Sequence, residues 1–544
     1  MAAVEQVAGS PPQALRALPR GVTYRVAARR VLVSICAIAA SSILIALAAP
    51  GVGEHPLLAW VAFAPWLASL RNLSPLAAAV SGLLMGLAYI VPGRWDTFAA
   101  AVQAAGYFGV WRELYTLLFF ASYALPFALF GLLDSRLQSW AQGSLQVAAL
   151  LRAGVLASLV CGLWSPFPYT PVSAIVDSTA LLQLASLGGE PLLLLLLLWP
   201  SALLGLIHAR SSLRRTGLAI VPFALVLLAV AGYGHWRIAV MDQAEASGQG
   251  IRLSALPLQL DLPAHPAPML LTRDRTGASL SALELSRSGL QRAPHCELVV
   301  WPETPLDAAP SAQVCARAQA MAHSLGRPLL MQCVRALGTR LQLTAELTLP
   351  GASSPAVHGK SSLVPMYEQP LWGAGRFTAG QPGTVMALDA QRKLIPTLCY
   401  ELHAREHLRA GVLAGGNLIV HMASFTPFDR HPIDVWDQGM ARLRAVEFGL
   451  PIVRAANRAP VGWIDANGRL RHVSARFGRQ AECVSAWSPA SGPTTYSRLP
   501  AFAAWLPALS TLLLATGLHL RSARRRARLL CTVAISTVIT RSPL

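Results

Sequence analysis

Long apolar runs occupy 31–49, 57–70, 75–91, 107–133, 146–164, 180–207 and 217–235, and an eighth, 501–520, lies near the C-terminus. About 20 mostly apolar residues cross a bilayer as a helix, so each longer run predicts a span. The second run is short and is interrupted by Pro65, which predicts a tilted or re-entrant segment. Nearly pure leucine over 192–199 leaves little room for a water-facing surface. Between 245 and 496 the pattern changes to short apolar runs separated by Pro, Gly, His and charge. Strands are expected at 251–258, 298–301, 329–334, 341–347, 385–388, 394–399, 418–421 and 452–454, with helices at 308–324 and 433–449. Strands alternating with helices, together with adjacent hairpin strands, predict a layered α/β domain, and about 250 residues can bury a full core.

Charge gives the runs a direction. Hydrophobic residues make up 54% of the 544-residue chain and charged residues only 13%, which excludes a disordered chain and argues against a purely soluble one. The net charge is +19, with 45 Lys and Arg against 26 Asp and Glu. Arginines precede the first run (Arg16, Arg20, Arg25, Arg29, Arg30) and follow the second, fourth and sixth (Arg71; Arg136; Arg210, Arg214, Arg215). Five more follow the eighth (Arg521, Arg524, Arg525, Arg526, Arg528). If each run spans once, all of these fall on one side, and cationic loops stay cytoplasmic. A nucleic-acid-binding tail explains only the last cluster, so nucleic acid is not an expected partner. The expected organisation is a basic cytoplasmic N-terminus (1–30), a seven-span membrane domain (31–239), an extracytoplasmic domain (240–498), an eighth span (499–522) and a basic cytoplasmic tail (523–544). The first run is long for the core of a signal peptide, and an uncleaved first helix is expected.

Eight cysteines are present, and Cys296, Cys315, Cys333, Cys399 and Cys483 fall in the extracytoplasmic stretch. An oxidising compartment lets these pair, but five is odd, so at least one thiol stays free or pairs between chains. No Cys/His spacing points to a metal. His403 and His407 stand four apart without a third ligand in view.

Three segments end in groups fit for nucleophilic chemistry. V-V-W-P-E-T presents Glu303 at the end of a strand, which Pro302 stops. H-G-K-S-S-L-V-P carries Lys360 and leads to Glu368. L-I-P-T-L-C-Y-E ends a strand on Cys399, Tyr400 and Glu401. The thiolate is the nucleophilic form of cysteine, and a carboxylate base beside an ammonium supplies it. Spacing alone is weak, because a domain of this size offers such triples by chance.

In these contexts Glu303, Lys360 and Cys399 resemble the Glu–Lys–Cys triad of the nitrilase (carbon–nitrogen hydrolase) superfamily. The W-P-E-T and L-V-P wording, with eight runs around a domain after the seventh, resembles its membrane-bound branch, the apolipoprotein N-acyltransferases. M-A-R-L-R-A-V-E over 440–447, R-A-A-N over 454–457, W-I-D-A-N-G over 463–468, L-G-G-E over 187–190 and A-W-V-A-F-A-P over 59–65 extend the likeness along most of the chain.

The resemblance implies an αββα sandwich beside the multi-pass helical domain, in a bacterial inner membrane with the catalytic domain on the periplasmic side. It implies no cofactor and no metal. It further implies that Cys399 takes an acyl chain from a phospholipid as a thioester. The chain then passes to the N-terminal amine of a lipoprotein. Glu303 would act as base, Lys360 with the N–H of Tyr400 as oxyanion donors, and Glu368 and Glu401 as supports. An amidase-type hydrolase, with water replacing the amine, is the alternative. Three places depart from the family: His358 where an aromatic is usual, Tyr367 where glycine is usual, and Met422–Phe428 in place of an Asn-Asp-x-Trp-Phe segment. These imply a specialised acceptor, as in relatives associated with plasmid transfer.

Overall fold

A computed structural model describes residues 20–521 except 93, 105, 141–143, 168, 208–212, 262–275, 304–315, 317–319, 321, 370–374, 376, 427–432 and 491. Six helices are long and apolar enough to cross a membrane: Ala28–Ala48, Val110–Ser139, Leu145–Gly162, Ala185–Leu206, Gly217–Ala246 and Phe502–Arg521. Two expected spans are shorter apolar helices, Pro56–Ser69 and Pro75–Ile90. In the first of these, a 3-10 turn over Pro56–Trp60 gives way to a six-residue helix beginning at Ala64, with Pro65 in its first turn, where its missing N–H does no harm. The leucine-rich helix Ala185–Leu206 is the centre of the bundle, with Leu193, Leu194, Leu196, Leu197 and Leu198 all buried. Inside the bundle Arg152 donates to Asp134 at 2.6 Å and to the Leu67 carbonyl at 2.9 Å, so this charge is paired and hydrogen-bonded as burial in an apolar domain requires.

The remaining domain is built on β1 (Ile251–Leu260), β2 (Leu298–Val300), β3 (Leu329–Leu337), β4 (Arg340–Thr348), β5 (Ala356–Gly359), β6 (Met386–Ala387), β7 (Lys393–Leu398), β8 (Leu418–Ser424) and β9 (Ile452–Asn457). Their order is β5-β4-β3-β2-β1-β9-β8-β7-β6. The six strands from β3 to β7 in that order run parallel, and antiparallel strands close both ends. Strand β1 is the hinge: Ala255–Pro257 pair with β2, whereas Gln259 and Leu260 pair with β9.

Side-chain alternation then builds four layers. Leu343 and Ala345 of β4 share one core with Leu394 and Leu398 of β7, although these strands lie near opposite ends of the order. The sheet is therefore folded over on itself at β1, with its inner faces packed together. On one outer face Val299, Leu329 and Met331 meet Ala282 and Leu283 of helix Thr276–Arg292. On the other, Ile395, Ile419 and Ile452 meet helices Arg405–Leu413 and Ile433–Phe448. Strands buried on both faces read as continuous apolar runs, which is how the sequence presents them. The result is an αββα sandwich joined to a helical membrane domain.

Helix Ile433–Phe448 joins the two halves. Ala441, Ala445 and Phe448 pack on the sheet, while Trp436, Met440, Leu443 and Val446 belong to the core of the membrane bundle. The helix is buried on both sides although it carries Asp434, Asp437, Arg442, Arg444 and Glu447. Gly189 interrupts helix Ala185–Leu206 in the left-handed region (φ +68°), with the ring of Tyr496 in the space a β-carbon would need. The break frees the N–H of Glu190 to donate to Glu447 of the sandwich at 2.8 Å.

Candidate active site

The site is assembled from chain segments that leave three strands. Glu303 lies three residues past β2, Lys360 follows β5 directly, and Cys399 follows β7 directly. The Lys360 backbone is pinned by its N–H to the Leu343 carbonyl (2.7 Å) and by its own carbonyl to the Gly380 N–H (2.8 Å). Its side chain is fully buried, and Nζ donates to Glu303 Oε1 at 3.3 Å and to Glu368 Oε1 at 2.7 Å. The second oxygen of Glu368 accepts from the Val364 N–H at 2.8 Å, so this carboxylate has little rotational freedom. Cys399 is half-buried and opens a short 3-10 turn, Cys399–His403. Its backbone is left-handed (φ +47°), rare for a residue other than glycine, and such strain persists only where surrounding contacts impose it.

Glu401 is hydrogen-bonded beside this turn. One oxygen accepts from the Leu398 N–H at 3.1 Å, just before the sulfur. The other accepts from the Ser361 N–H and Ser361 Oγ, both at 2.6 Å, just after the lysine. One buried carboxylate thus ties the Cys399 turn to the Lys360 loop. Burial works against its charge, but His407, His358 and Ser361 outweigh burial and bring its pKa down to about 2.

The charges of Glu303, Lys360, Asp437 and Glu368 all act on Cys399. Burial pushes the thiol well above the usual range, the Glu303 carboxylate adds to this, and the Lys360 ammonium opposes it. Burial alone would depress the Lys360 ammonium, yet Glu303 and Glu368 together raise it above the ordinary lysine value. Glu368 is raised by burial and by Glu303, against the pull of Lys360. Two carboxylates thus face one ammonium in the site.

The curated relatives are consistent among themselves. An apolipoprotein N-acyltransferase of Allorhizobium ampelinum is 27% identical over 431 residues, covering 72% of this chain and 76% of its own length. That of Methylococcus capsulatus is 28% identical over 467 residues, covering 81% and 87%. The chain is similar to apolipoprotein N-acyltransferases over most of its length. No protein-family model matches it. Among solved structures, a mutant amidase of the nitrilase superfamily from Nesterenkonia is 17% identical, covers 46% of this chain and 94% of its own, and has a TM-score of 0.35.

Glu401 is among the expected supports, whereas its histidine neighbours His358 and His407 carry no expected role in the sequence. His358, Glu401 and His407 are buried with ligand-type atoms within 4.8 Å of one another, the only such trio among the described residues. All but one of their polar atoms are engaged, His358 Nδ1 having no hydrogen-bond partner among the described residues. His358 Nε2 lies 3.0 Å from both Glu401 oxygens, His407 Nδ1 accepts from the Gly383 N–H at 3.1 Å, and His407 Nε2 reaches the Pro396 carbonyl at 2.9 Å. Behind the cysteine turn Asp437 holds His403 at 3.0 Å and Arg454 at 2.8 Å. Burial opposes the Asp437 charge, but Arg454, His403 and His421 hold its pKa well below the usual carboxylate range.

Trp301 lies in the outer-face core and donates to Ser286 Oγ at 2.9 Å, which is a packing role. Tyr400 donates its hydroxyl to the Pro166 carbonyl and meets Phe167 edge-on at 5.2 Å, so it braces the turn against the membrane domain. Arg442 and Arg444 read in the sequence as a solvated or salt-bridged helix face, and they are buried and ion-paired: Arg442 with Asp177, and Arg444 with Glu447 and with Glu190. Cys296 and Cys483 form a disulfide and Cys333 is disulfide-bonded too, which leaves Cys399 as the free thiol among the described cysteines of the sandwich. His431 and Cys315 lie outside the described residues, as does most of the expected helix 308–324.

Proposed function

We propose that the protein is an N-acyltransferase that moves a fatty acyl chain from a phospholipid, through a thioester on Cys399, to the N-terminal amine of a lipoprotein. The observation that carries this is the buried Glu303–Lys360–Glu368 group beside a free thiol in a left-handed turn, braced against a membrane domain.

The steps balance as follows. Glu303 takes the Cys399 proton, and the thiolate attacks the ester carbonyl. Lys360 and the N–H of Tyr400 stabilise the tetrahedral oxyanion. The C–O bond breaks, and the lysophospholipid oxygen leaves with the proton held by Glu303. The incoming amine then attacks the thioester and gives its proton to Glu303. The C–S bond breaks, the amide forms, and the thiolate recovers the proton. Glu368 holds Lys360 in place, and Glu401 holds the two reacting loops together. Tyr400 and the helix Ile433–Phe448 keep the turn against the apolar bundle, where both lipid substrates reside.

The disulfides support an oxidising compartment for the sandwich, and the arginine bias supports cytoplasmic termini. Together they favour a bacterial inner membrane with the sandwich, residues 240–498, on the periplasmic side. The test is incubation of the purified full chain with phospholipid and a diacylglyceryl-cysteine peptide. The expected product is a triacylated peptide with the new chain on its α-amine. Free fatty acid in place of that amide would favour the hydrolase reading.

A further inference from the structure

An α-amine has an ordinary pKa of about 7.7–8.0, so near neutral pH the acceptor arrives mostly as an ammonium, which cannot attack. One proton must leave before the nitrogen reaches the thioester, and a second leaves to Glu303 during the attack. A histidine near the nucleophile is placed to take the first. His403 closes the 3-10 turn that Cys399 opens, so at about 2.0 Å rise per residue the two Cα atoms stand roughly 8 Å apart along its axis. His403 Nε2 lies 3.0 Å from Asp437 Oδ1. Asp437 is ionised and only accepts, so Nε2 carries the hydrogen and the lone pair of the neutral ring is on Nδ1. His403 is 8% exposed, and its Nδ1 has no hydrogen-bond partner among the described residues.

The imidazole stands at the seam of sandwich and bundle. It packs on Trp436 at 4.6 Å and lies 6.1 Å from the ring of Tyr400. Trp436 stacks in turn on Tyr169 of the bundle at 4.1 Å, and Tyr400 donates to the Pro166 carbonyl. This is the side from which an amine on a lipid anchor has to come.

We propose that His403, oriented by Asp437, is the base that takes the first proton from the incoming ammonium. The inference rests on the acyl-transfer reading. An N–H bond of the ammonium breaks, its electron pair stays on nitrogen, and Nδ1 holds the proton while the neutral amine attacks. Glu303 takes the second proton and passes it to the departing thiolate, and the imidazolium gives its own to water as the amide leaves. Histidine gains and loses a proton near neutral pH, and a carboxylate behind the ring stabilises the imidazolium as it forms. Arg454 Nη2, 2.8 Å from Asp437 Oδ2, balances the charge of that carboxylate. His421 Nε2 lies 3.7 Å from the same oxygen, and burial pushes its pKa down, so it stays neutral. Burial pushes the Tyr400 phenol up to about 12, so it stays protonated.

The test follows a preformed acyl-enzyme of the full chain, in wild type and in His403→Gln. Glutamine keeps an N–H for Asp437 but takes no proton. Two acceptors are compared by rapid-quench mass spectrometry at pH 6: a diacylglyceryl-cysteine peptide, which arrives as an ammonium, and methoxyamine, whose nitrogen is already neutral there. The rate ratio of peptide to methoxyamine is expected to fall about fiftyfold in His403→Gln, because only about 2% of an amine of pKa about 7.7 is neutral at that pH. The deficit is expected to close as pH rises past 8 and the amine loses its proton unaided. His403→Asn, also an amide, is expected to behave alike and serves where glutamine does not fold. An unchanged ratio, an equal slowing with both acceptors, or a deficit that persists above pH 8 overturns the inference while leaving acyl transfer intact. A wild type that forms no acyl-enzyme overturns the acyl-transfer reading, and this inference with it.

Discussion

Replacing Lys360 by methionine removes one positive charge from a site where two carboxylates depend on it. The side chain is fully buried, with Nζ 3.3 Å from Glu303 and 2.7 Å from Glu368. Methionine keeps the volume and leaves both acids without their partner. Breaking a buried pair in this way typically destabilises by about 3–5 kcal/mol. Part of that is recovered when Glu368, already raised by burial and by Glu303, takes a proton. Loss of one oxyanion donor lowers the acylation rate by about 10²–10³. The two effects separate in a second variant, Lys360→Met with Glu368→Gln, which removes the surplus charge but not the need for a donor. Stability is expected to recover in the double variant, and the rate is not. Rapid-quench intact mass measures acyl-enzyme formation, and thermal unfolding in the same detergent measures stability. A Lys360→Met protein that acylates like wild type refutes the reasoning, because a buried ammonium with no part in the chemistry would then be structural alone.

Other outcomes follow from the same contacts. The Glu401 carboxyl falls from 4.5 to about 2 in the fold, so its charge contributes about 3 kcal/mol that is present above pH 4.5 and lost as pH falls toward 2. Glu401→Gln is therefore expected to show a flatter acid limb than wild type in thermal unfolding across that window. Glu190 is fully buried and faces Arg444 at 3.4 Å and Arg405 at 3.5 Å. Glu190→Ala is expected to lower stability by about 3–5 kcal/mol and to raise proteolytic cutting at the junction of bundle and sandwich, as read by limited proteolysis. The Cys296–Cys483 bond closes a separation of 187 residues, and Cys296→Ser with Cys483→Ser should lower stability by about 2–5 kcal/mol in chemical unfolding.

The sequence made the architecture legible where burial is two-sided. The eight expected strands all appear, because apolar runs such as Leu298–Val300 and Leu418–Ser424 are packed on both faces. Missed elements are those whose pairing comes from afar. Ala356–Gly359 is a strand only because β4 offers it an edge, and Val484–Ser488 only because β1 does. Helix Arg405–Leu413 carries mixed polarity, and its apolar side shows only against Ile395 and Ile419. The same holds for charge: the sequence leaves Arg444 either solvated or salt-bridged, and the fold decides, with Glu447 one turn away and Glu190 from the membrane helix meeting it in the interior. His358 stands out in the sequence only as a departure from an aromatic position, and its pairing with Glu401, 3.0 Å from its ring, shows only in the fold.

Everything proposed about chemistry passes through one sulfur. The most direct measurement is peptide-resolved mass spectrometry of the full chain after incubation with phospholipid and no amine acceptor. The account predicts a gain of one fatty acyl group on the peptide that holds Cys399, removed by hydroxylamine and absent from Cys399→Ala. An acyl group carried on another residue, or an unmodified Cys399 while acyl transfer proceeds, would contradict it.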